Sequence, residues 1–288
     1  MRRLIFSAVF LMFLAVGYSQ GNLFSVLSLA DFINVESLTP LSDCWYIYDL
    51  AASSRAAVGK VDVRLKRHNR NGRNERYTLS YNSRGLLEKE ESKVLESETK
   101  DYVYDEKDRL VSAGVFSYRY IDDFKRERYW EGKLQYREAV EFQKDRILIT
   151  VISCSKKDDG SIAENGKRLY EYIFTDGQLS EICKRTWYRI DFEEKERDYV
   201  RFSYGGDGLL QKVTEFHGDS LRAERLFEYQ DKKLAKQTAR YPFDPMSDFI
   251  AEYTDYDTHG NFLQYTKTGI GANKGLHCSF ERKIEYRE

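Results

Sequence analysis

The stretch Tyr104-Asp105-Glu106-Lys107-Asp108-Arg109-Leu110 predicts a complete β-hairpin turn with a strand on either side. Tyr104 is expected to end one strand on its buried face. The Asp105 side chain can bond to the backbone that follows it and so start a turn. Leu110 then begins the return strand beside the tyrosine ring. The stretch therefore predicts two antiparallel strands joined by a short loop.

Seven further copies of this aromatic–turn–leucine pattern occur along the chain. Measured from the leading aromatic residue, the steps are 23, 25, 13, 32, 30, 25 and 27 residues, and most of them suit one hairpin of two long strands. The other copies are Tyr81–Leu87, Tyr129–Leu134, Phe142–Ile147, Phe174–Leu179, Tyr204–Leu209, Tyr229–Leu234 and Tyr256–Phe262.

These copies predict an all-β fold, an antiparallel meander of repeated long hairpins over residues 59–288. A single hairpin is marginally stable, so neighbouring hairpins must stack into one sheet with a continuous apolar face. A content of only 3 Pro among 288 residues agrees, because proline removes hydrogen bonds from a sheet. If the sheet is open, its edges favour pairing with another chain, so oligomerisation is an expectation as well.

The first hairpin allows a prediction of register. Val63 and Leu65 alternate with charged residues, which is the pattern of a half-buried strand. A loop with an odd number of residues centred on Gly72 keeps all apolar residues on one face, since a slip by one residue would exchange the faces. We therefore expect Val63 opposite Tyr81 and Leu65 opposite Leu79.

Several segments resemble the YD repeat of the RHS family, whose unit is Tyr-Asp-x-x-Gly-Arg-Leu. Tyr104-Asp105 with Arg109-Leu110 resembles this unit, with Asp108 at the glycine position, and Tyr256–Asn261 is similar to the turn that often closes secreted bacterial proteins of this type. The final Arg282–Tyr286 resembles their last strand. The resemblance covers about residues 60–288 and implies a YD-repeat-like sheet. A second, weaker likeness is to MORN-like repeat proteins.

The repeat also predicts which residues shape the turns. Aromatic and leucine residues should pack together at the strand ends, whereas Asp and Gly should occupy the turn itself. The predicted structural residues of the turns are Tyr81, Gly85, Tyr104, Asp105, Leu110, Gly132, Asp176, Gly177, Gly208, Tyr256, Asp257 and Gly260.

Residues 1–19 have the pattern of a secretory signal peptide. Arg2 and Arg3 precede an apolar run from Leu4 to Val16, and small residues follow at Gly17 and Ser19. The run is shorter than the roughly 20 residues of a transmembrane helix. Removal of two arginines would change the formal charge from -1 to -3. We expect an exported chain without a membrane span, in the periplasm, on the outer surface or secreted, with residues 20–58 as a mixed N-terminal cap.

The cysteines leave two alternatives open. In an oxidising compartment the four cysteines could pair in three ways, or they could be buried free thiols. None of them forms a C-x-x-C arrangement. They are Cys44, Cys154, Cys183 and Cys278.

The composition excludes several classes of function. Lys+Arg 46 against Asp+Glu 47 leaves no overall field that would favour nucleic acid or an anionic membrane. The four histidines lack metal-ligand spacing, and no G-x-S-x-G motif is present. We therefore expect no enzyme activity, no cofactor and no metal site.

Two groups of residues are candidates for ligand binding. Arg67, Arg70 and Arg73 make the first hairpin basic and could hold an anionic envelope polysaccharide, whereas Trp130 and Trp187 could stack on sugar rings. These residues predict a non-enzymatic binding or structural module of the cell envelope, with a glycan or protein partner. The alternatives are a secreted hydrolase that uses paired carboxylates and, from the family resemblance, a toxin-associated repeat module.

Overall fold

The computed structural model describes residues 57–68, 74–92, 99–176, 178–188, 194, 196–271 and 274–287. The predicted signal peptide, nearly all of the predicted cap, and residues Cys44, Arg70, Arg73 and Gly177 lie outside the described residues. The cap boundary at residue 58 thus stays a prediction. Among the residues that the structure describes, no helix is both long and apolar enough to cross a membrane.

The described residues form eighteen β-strands and a 3-10 helix, Pro245–Ser247. Consecutive strands pair in antiparallel ladders, which confirms the all-β antiparallel meander. The strands are β1 Val58–Arg67, β2 Glu75–Tyr81, β3 Leu87–Ser92, β4 Thr99–Tyr104, β5 Leu110–Ala113, β6 Phe116–Tyr120, β7 Lys125–Trp130, β8 Lys133–Phe142, β9 Arg146–Lys156, β10 Ile162–Thr175, β11 Gln178–Trp187, β12 Glu196–Tyr204, β13 Leu210–His217, β14 Ser220–Gln230, β15 Lys233–Arg240, β16 Phe249–Tyr256, β17 Phe262–Gly269 and β18 Gly275–Tyr286.

The strands fall into two compact units. The central unit comprises Val103–Phe202 and Glu215–Ser220, and its strand order is β5-β6-β7-β8-β9-β10-β11-β12. The terminal unit holds the described residues up to Tyr102, Ser203–Thr214 and those from Leu221 onward. Its order is β14-β15-β16-β17-β18-β1-β2-β3-β4, so β18 lies beside β1.

The first hairpin keeps the predicted face but not the predicted register. Val63 lies opposite Tyr77, and Leu65 lies opposite Glu75, so the prediction that they face Tyr81 and Leu79 is wrong by four residues. Alternation distinguishes only the two faces, and a shift by an even number of residues leaves every side chain on its own face. Both apolar residues are therefore still buried.

The repeat contains two types of turn rather than one. In the longer type the first residue donates its N–H to the carbonyl of the fifth, and the fourth donates to the carbonyl of the first, as from Asp105 to Arg109 and from Asp257 to Asn261. The Asp105 carboxylate accepts the N–H groups of Lys107 and Arg109, both at 2.9 Å. Asp108 adopts φ 61° in the glycine position, where a short polar side chain is tolerated.

The shorter type has two residues between the strands. Both residues of Glu131-Gly132 have positive φ, 47° and 76°, as do both residues of Asp231-Lys232. In these copies the leading aromatic lies opposite the leucine, for example Tyr129 opposite Leu134. The sequence pattern merged the two types, because they differ by a single residue between the aromatic and the leucine.

The irregular step of 13 residues also has a topological cause. Seven of the eight copies connect an even-numbered strand to the next odd-numbered strand. The Tyr129–Leu134 copy instead connects β7 to β8, and the Phe142–Ile147 copy connects β8 to β9. These two copies are thus separated by a single strand, which makes the step short.

Each unit has its own buried cluster, and repeated aromatic residues pack against it. In the terminal unit the cluster includes Val61, Leu79 and Phe280, with Tyr81 and Tyr256 packed against it. In the central unit the cluster consists of five buried residues, Val140, Ile147, Ile149, Val151 and Tyr170, with Phe142 and Phe174 packed against it. For these four copies the ring therefore lies on the core side of its sheet, as the repeat predicts.

The turn at Asp257 makes a testable contribution to acid stability. Burial by itself would raise the pKa of Asp257, but hydrogen bonds from the Tyr286 hydroxyl, the Asn261 side chain and the backbone N–H groups of Asn261 and His259 lower it overall. The folded pKa thus lies below the unfolded value of about 3.9. The stabilisation is complete above that value and is lost as pH falls through the folded pKa.

We expect Asp257→Asn to flatten the acid branch of the stability curve. Urea unfolding between neutral pH and about pH 3 should show a smaller loss of stability for the variant than for the wild type. Thr258→Ala removes no titratable group from the same turn and should keep the wild-type slope. Equal slopes for Asp257→Asn and the wild type would contradict the role of the carboxylate.

Candidate functional site

Arg67 in the first hairpin does not present a free positive charge, whereas Arg64 and Arg76 of the same hairpin are exposed and lie directly opposite each other. Arg67 makes an ion pair with Glu75, with Nη2 and Oε1 2.5 Å apart, and its Nε donates to the same oxygen. Arg67 is a predicted ligand residue, and the other two arginines of that prediction lie outside the described residues. The Glu75 carboxylate thus neutralises the one predicted ligand arginine that lies among the described residues.

The two predicted tryptophans are not brought together. Trp130 ends β7 and Trp187 ends β11, four strands further on, roughly 19 Å at the usual strand spacing. Trp130 shares the face of Arg128, two residues before it, and the register from β7 to β10 places Arg168 on that face too. Trp187 follows Thr186, which lies opposite Arg168, so Trp187 points to the other face.

Trp187 instead belongs to a group of basic and aromatic side chains on β10 to β13 of the central unit. Antiparallel partners share a face and residues two apart along a strand do as well, which places these side chains together on the face opposite the core. We call this group the basic aromatic strip. It consists of Lys167, Arg185, Trp187, Arg197, Tyr199, Arg201 and Phe216.

One end of the strip is formed by Trp187. Lys167 lies directly opposite it, and the Lys167 Nζ is 5.3 Å from the centre of the indole ring. Trp187 is half-buried, so part of the ring is accessible to solvent. This end offers an aromatic surface next to a cation.

The other end is an aromatic pair. The rings of Tyr199 and Phe216 are stacked with their centres 4.7 Å apart. The guanidinium of Arg201 lies over both rings, 4.9 Å from Tyr199 and 5.4 Å from Phe216, and also pairs with Glu181 at 3.0 Å. Tyr199 lies opposite Cys183, four residues before Trp187, so the two aromatic ends are about 13 Å apart.

Two arginines face each other between these ends. Arg185 lies directly opposite Arg197, and like charges in this position destabilise a sheet. Arg185 approaches Glu171 at 3.6 Å, but that carboxylate also pairs with Arg146 at 2.5 Å. Among the described residues no carboxylate lies within ion-pair distance of Arg197. Its pKa is raised chiefly by a hydrogen bond with Cys183, and the more distant charges of Glu194 and Glu181 add to this.

The strip therefore carries an excess of positive charge. Its four cations, Lys167, Arg185, Arg197 and Arg201, face three carboxylates, those of Glu171, Glu181 and Glu194. Arg197 and Arg201 are exposed, so a ligand can reach them from solvent. A flat ligand with negative charge between two apolar faces would match this arrangement.

Strand alternation explains how the strip forms. Ile182 and Val200 point to the core and are almost completely buried. The residues between them in each strand, including Cys183 and Arg201, point the other way. Cys183 is a buried free thiol, as are Cys154 and Cys278. Of the two alternatives, disulfide pairing or buried free thiols, these three cysteines therefore follow the second.

Sequence reasoning identified only Trp187 of this group. A signal for the rest is present, because Arg197, Tyr199 and Arg201 alternate with period two and Arg185 precedes Trp187 by two residues. Their meeting depends on the pairing of β11 with β12 across a loop, which the pattern alone does not specify.

No family model and no curated protein matches the chain. Among solved structures, a porin-like protein from Bacteroides vulgatus ATCC 8482 is similar with a TM-score of 0.41 and 10% identity over 80% of this chain and 98% of that chain. A porin-like protein from Bacteroides uniformis ATCC 8492 has a TM-score of 0.37 and 10% identity over 81% and 98%. The complex TcdB2-TccC3-Cdc42 has a TM-score of 0.17 and 10% identity over 75% of this chain and 15% of that chain.

Proposed function

We propose that the chain is an exported, non-enzymatic binding module that holds an acidic glycan of the cell envelope on the basic aromatic strip. The observation that carries the proposal is the opposed pair Arg185 and Arg197 between two aromatic ends. The proposed location, periplasmic, outer-surface or secreted, is supported by the signal-peptide pattern of residues 1–19. We also propose that the chain is related to YD-repeat proteins, because Tyr104–Leu110 and Tyr256–Asn261 resemble the YD unit.

The chemistry of the strip suits a sugar acid. The C–H groups on one side of a pyranose ring pack against the electron-rich face of an aromatic ring, as Trp187 or Tyr199 would provide. Carboxylate or sulfate groups accept paired hydrogen bonds from a guanidinium. A bound anion between Arg185 and Arg197 would also relieve their mutual repulsion.

The hydrolase alternative gains no comparable support from the described carboxylates. Glu90 accepts a hydrogen bond from the Tyr102 hydroxyl at 2.9 Å and lies opposite Lys100. Glu91 pairs with Lys89 at 2.7 Å. These contacts are typical of cross-strand pairs that stabilise a sheet surface.

The proposal predicts that polygalacturonate binds the purified full-length chain and that dextran, a neutral glycan, does not. Trp187→Ala should weaken the binding about tenfold, because it removes one stacking surface. The double variant Arg185→Gln with Arg197→Gln should also weaken it about tenfold and reduce its dependence on salt. Calorimetric titration at low and high salt measures both effects.

Trp130→Ala is the matched control. Trp130 is also partly exposed, at 44%, but lies on the opposite face of the same unit. Its loss should leave the affinity for polygalacturonate unchanged. Equal weakening by the Trp130 and Trp187 variants, or absence of polygalacturonate binding by the wild type at low salt, would refute the proposed site.

A further inference from the structure

The outer face of the first hairpin carries two arginines that lie opposite each other. Arg64 of β1 pairs with Arg76 of β2 in the antiparallel register, so their Cβ atoms are about 5 Å apart. Val63 and Leu65, on either side of Arg64, are buried in the core, whereas both arginines are exposed. The two guanidinium groups therefore extend from the same side of the terminal unit, close enough for one small ligand to contact both.

The charge of this arginine pair is not compensated by a neighbouring carboxylate. Within the part of the chain that the structure describes, neither Arg64 nor Arg76 makes an ion pair or a side-chain hydrogen bond. Glu281 of β18 lies opposite Arg64 on its other side and is exposed, but it does not come within ion-pair distance. The donors of both guanidinium groups thus point to solvent.

Two further carboxylates of this face are engaged by other side chains. Asp62 pairs with Lys60 at 3.0 Å and accepts a hydrogen bond from the Thr78 hydroxyl at 2.8 Å. Glu91 of β3 lies opposite Thr78 and pairs with Lys89 at 2.7 Å. These two acidic groups therefore already have cations of their own.

Lys66 adds a third positive charge next to the arginine pair. It follows Arg64 by two residues on the same face, about 7 Å along the strand, and is exposed. Its partner on β18 is Ser279, which carries no charge. We call Arg64, Lys66 and Arg76 the basic hairpin patch. Its three cations lie beside the Glu281 carboxylate, so the patch keeps a net positive charge.

The arrangement of the two arginines favours a phosphate monoester over a carboxylate. Like charges directly opposite each other destabilise a sheet, and an anion between them would relieve the repulsion. One guanidinium fork fills both oxygens of a carboxylate. A phosphate monoester has three terminal oxygens and a charge of about −1.5 to −2, so it can accept hydrogen bonds from two guanidinium groups at once.

We propose that Arg64 and Arg76 bind a phosphate monoester between them on the outer face of the first hairpin, with Lys66 as an additional cation. The guanidinium groups supply forked N–H donors, and the Lys66 ammonium supplies charge. The basic hairpin patch shares no residue with the basic aromatic strip and does not depend on glycan binding there. The phosphate group belongs either to a small solute or to a lipid headgroup, and the experiment distinguishes the two.

Equilibrium dialysis with inorganic phosphate measures the site on the purified full-length chain. The parent for all comparisons is Arg185→Gln with Arg197→Gln, because the opposed arginines of the strip are a second place for an anion. We expect this parent to bind about one phosphate per chain, and adding Arg64→Gln with Arg76→Gln should weaken the binding about tenfold. These substitutions also remove a repulsion, so the Tm at low salt should not fall.

Three further variants of the same parent test how the phosphate is held. Arg64→Lys with Arg76→Lys keeps both charges but not the forks and should weaken binding at least about threefold. Glu281→Gln removes the neighbouring negative charge and should strengthen binding about twofold. Lys283→Gln is the matched control, because Lys283 is exposed on the same face but pairs with Glu285 at 2.9 Å; its affinity should stay close to that of the parent.

Vesicles distinguish the two sources of the phosphate group. Cosedimentation of the parent with vesicles of phosphatidic acid in phosphatidylcholine, but not with phosphatidylcholine alone, assigns the site to a lipid headgroup. Phosphate binding in dialysis without cosedimentation assigns it to a small solute. The proposal is overturned if the parent binds neither phosphate nor phosphatidic acid vesicles, or if the glutamine or lysine variants of Arg64 and Arg76 bind as tightly as the parent.

Discussion

Replacing Arg126 by alanine is expected to lower the free energy of unfolding by about 3 to 5 kcal/mol. The Arg126 side chain is fully buried, and its partner Glu138 is 2% exposed. The guanidinium also lies 4.4 Å from the centre of the Tyr118 ring. Its removal leaves the Glu138 carboxylate desolvated and deprived of its nearest counter-charge, which is the costly case for a buried ion pair.

A double variant separates the ion pair from the loss of one partner. Arg126→Met with Glu138→Leu removes both charges and keeps much of the volume, so it should be clearly more stable than Arg126→Ala. Lys283→Ala, at a site that is 74% exposed, should change stability by less than about 1 kcal/mol. Urea unfolding measures all three, and a loss below about 1 kcal/mol for Arg126→Ala would contradict the buried pair.

Local features of this fold were accessible from the sequence. The carboxylate of Asp105 bonds to the two N–H groups that its turn requires, and this follows from residues within five positions of one another. The alternation around Val63 likewise identifies the buried face of a strand. Both are properties of a short segment, so composition and spacing suffice.

Contacts between distant segments were not accessible in the same way. Val63 lies opposite Arg282 of the last strand, and no local pattern links these two positions. Arg126 stands in the charged run Lys125–Arg128, which has the composition of a solvated surface. Only its pairing with Glu138 on the next strand shows that it is buried.

The candidate site illustrates the same limit. Trp187 could be selected from the sequence because of its aromatic ring. The same reason selects Trp130, which lies on the other face. Register between β10, β11 and β12 decides which charges surround each tryptophan. A prediction of binding sites on such sheets therefore needs the strand pairing as well as the residue types.

Phe280→Ala is the second change with a large expected effect, a loss of about 3 to 5 kcal/mol. Phe280 is 1% exposed and lies opposite Leu65 of β1 on one side and Tyr265 of β17 on the other. Its ring stacks on Tyr265 with centres 4.9 Å apart and lies 5.8 Å from Phe262. The ring thus fills the core at the place where β18 pairs with β1.

The neighbouring residue on the same strand gives the control for this effect. Glu281 is exposed on the opposite face of β18, so Glu281→Ala keeps the backbone pairing and the core and should be nearly neutral. Hydrogen exchange of the amides of β1 should accelerate in Phe280→Ala but not in Glu281→Ala, because packing at Phe280 supports the β1–β18 ladder. Similar exchange in both variants would mean that backbone pairing, rather than ring packing, holds these strands together.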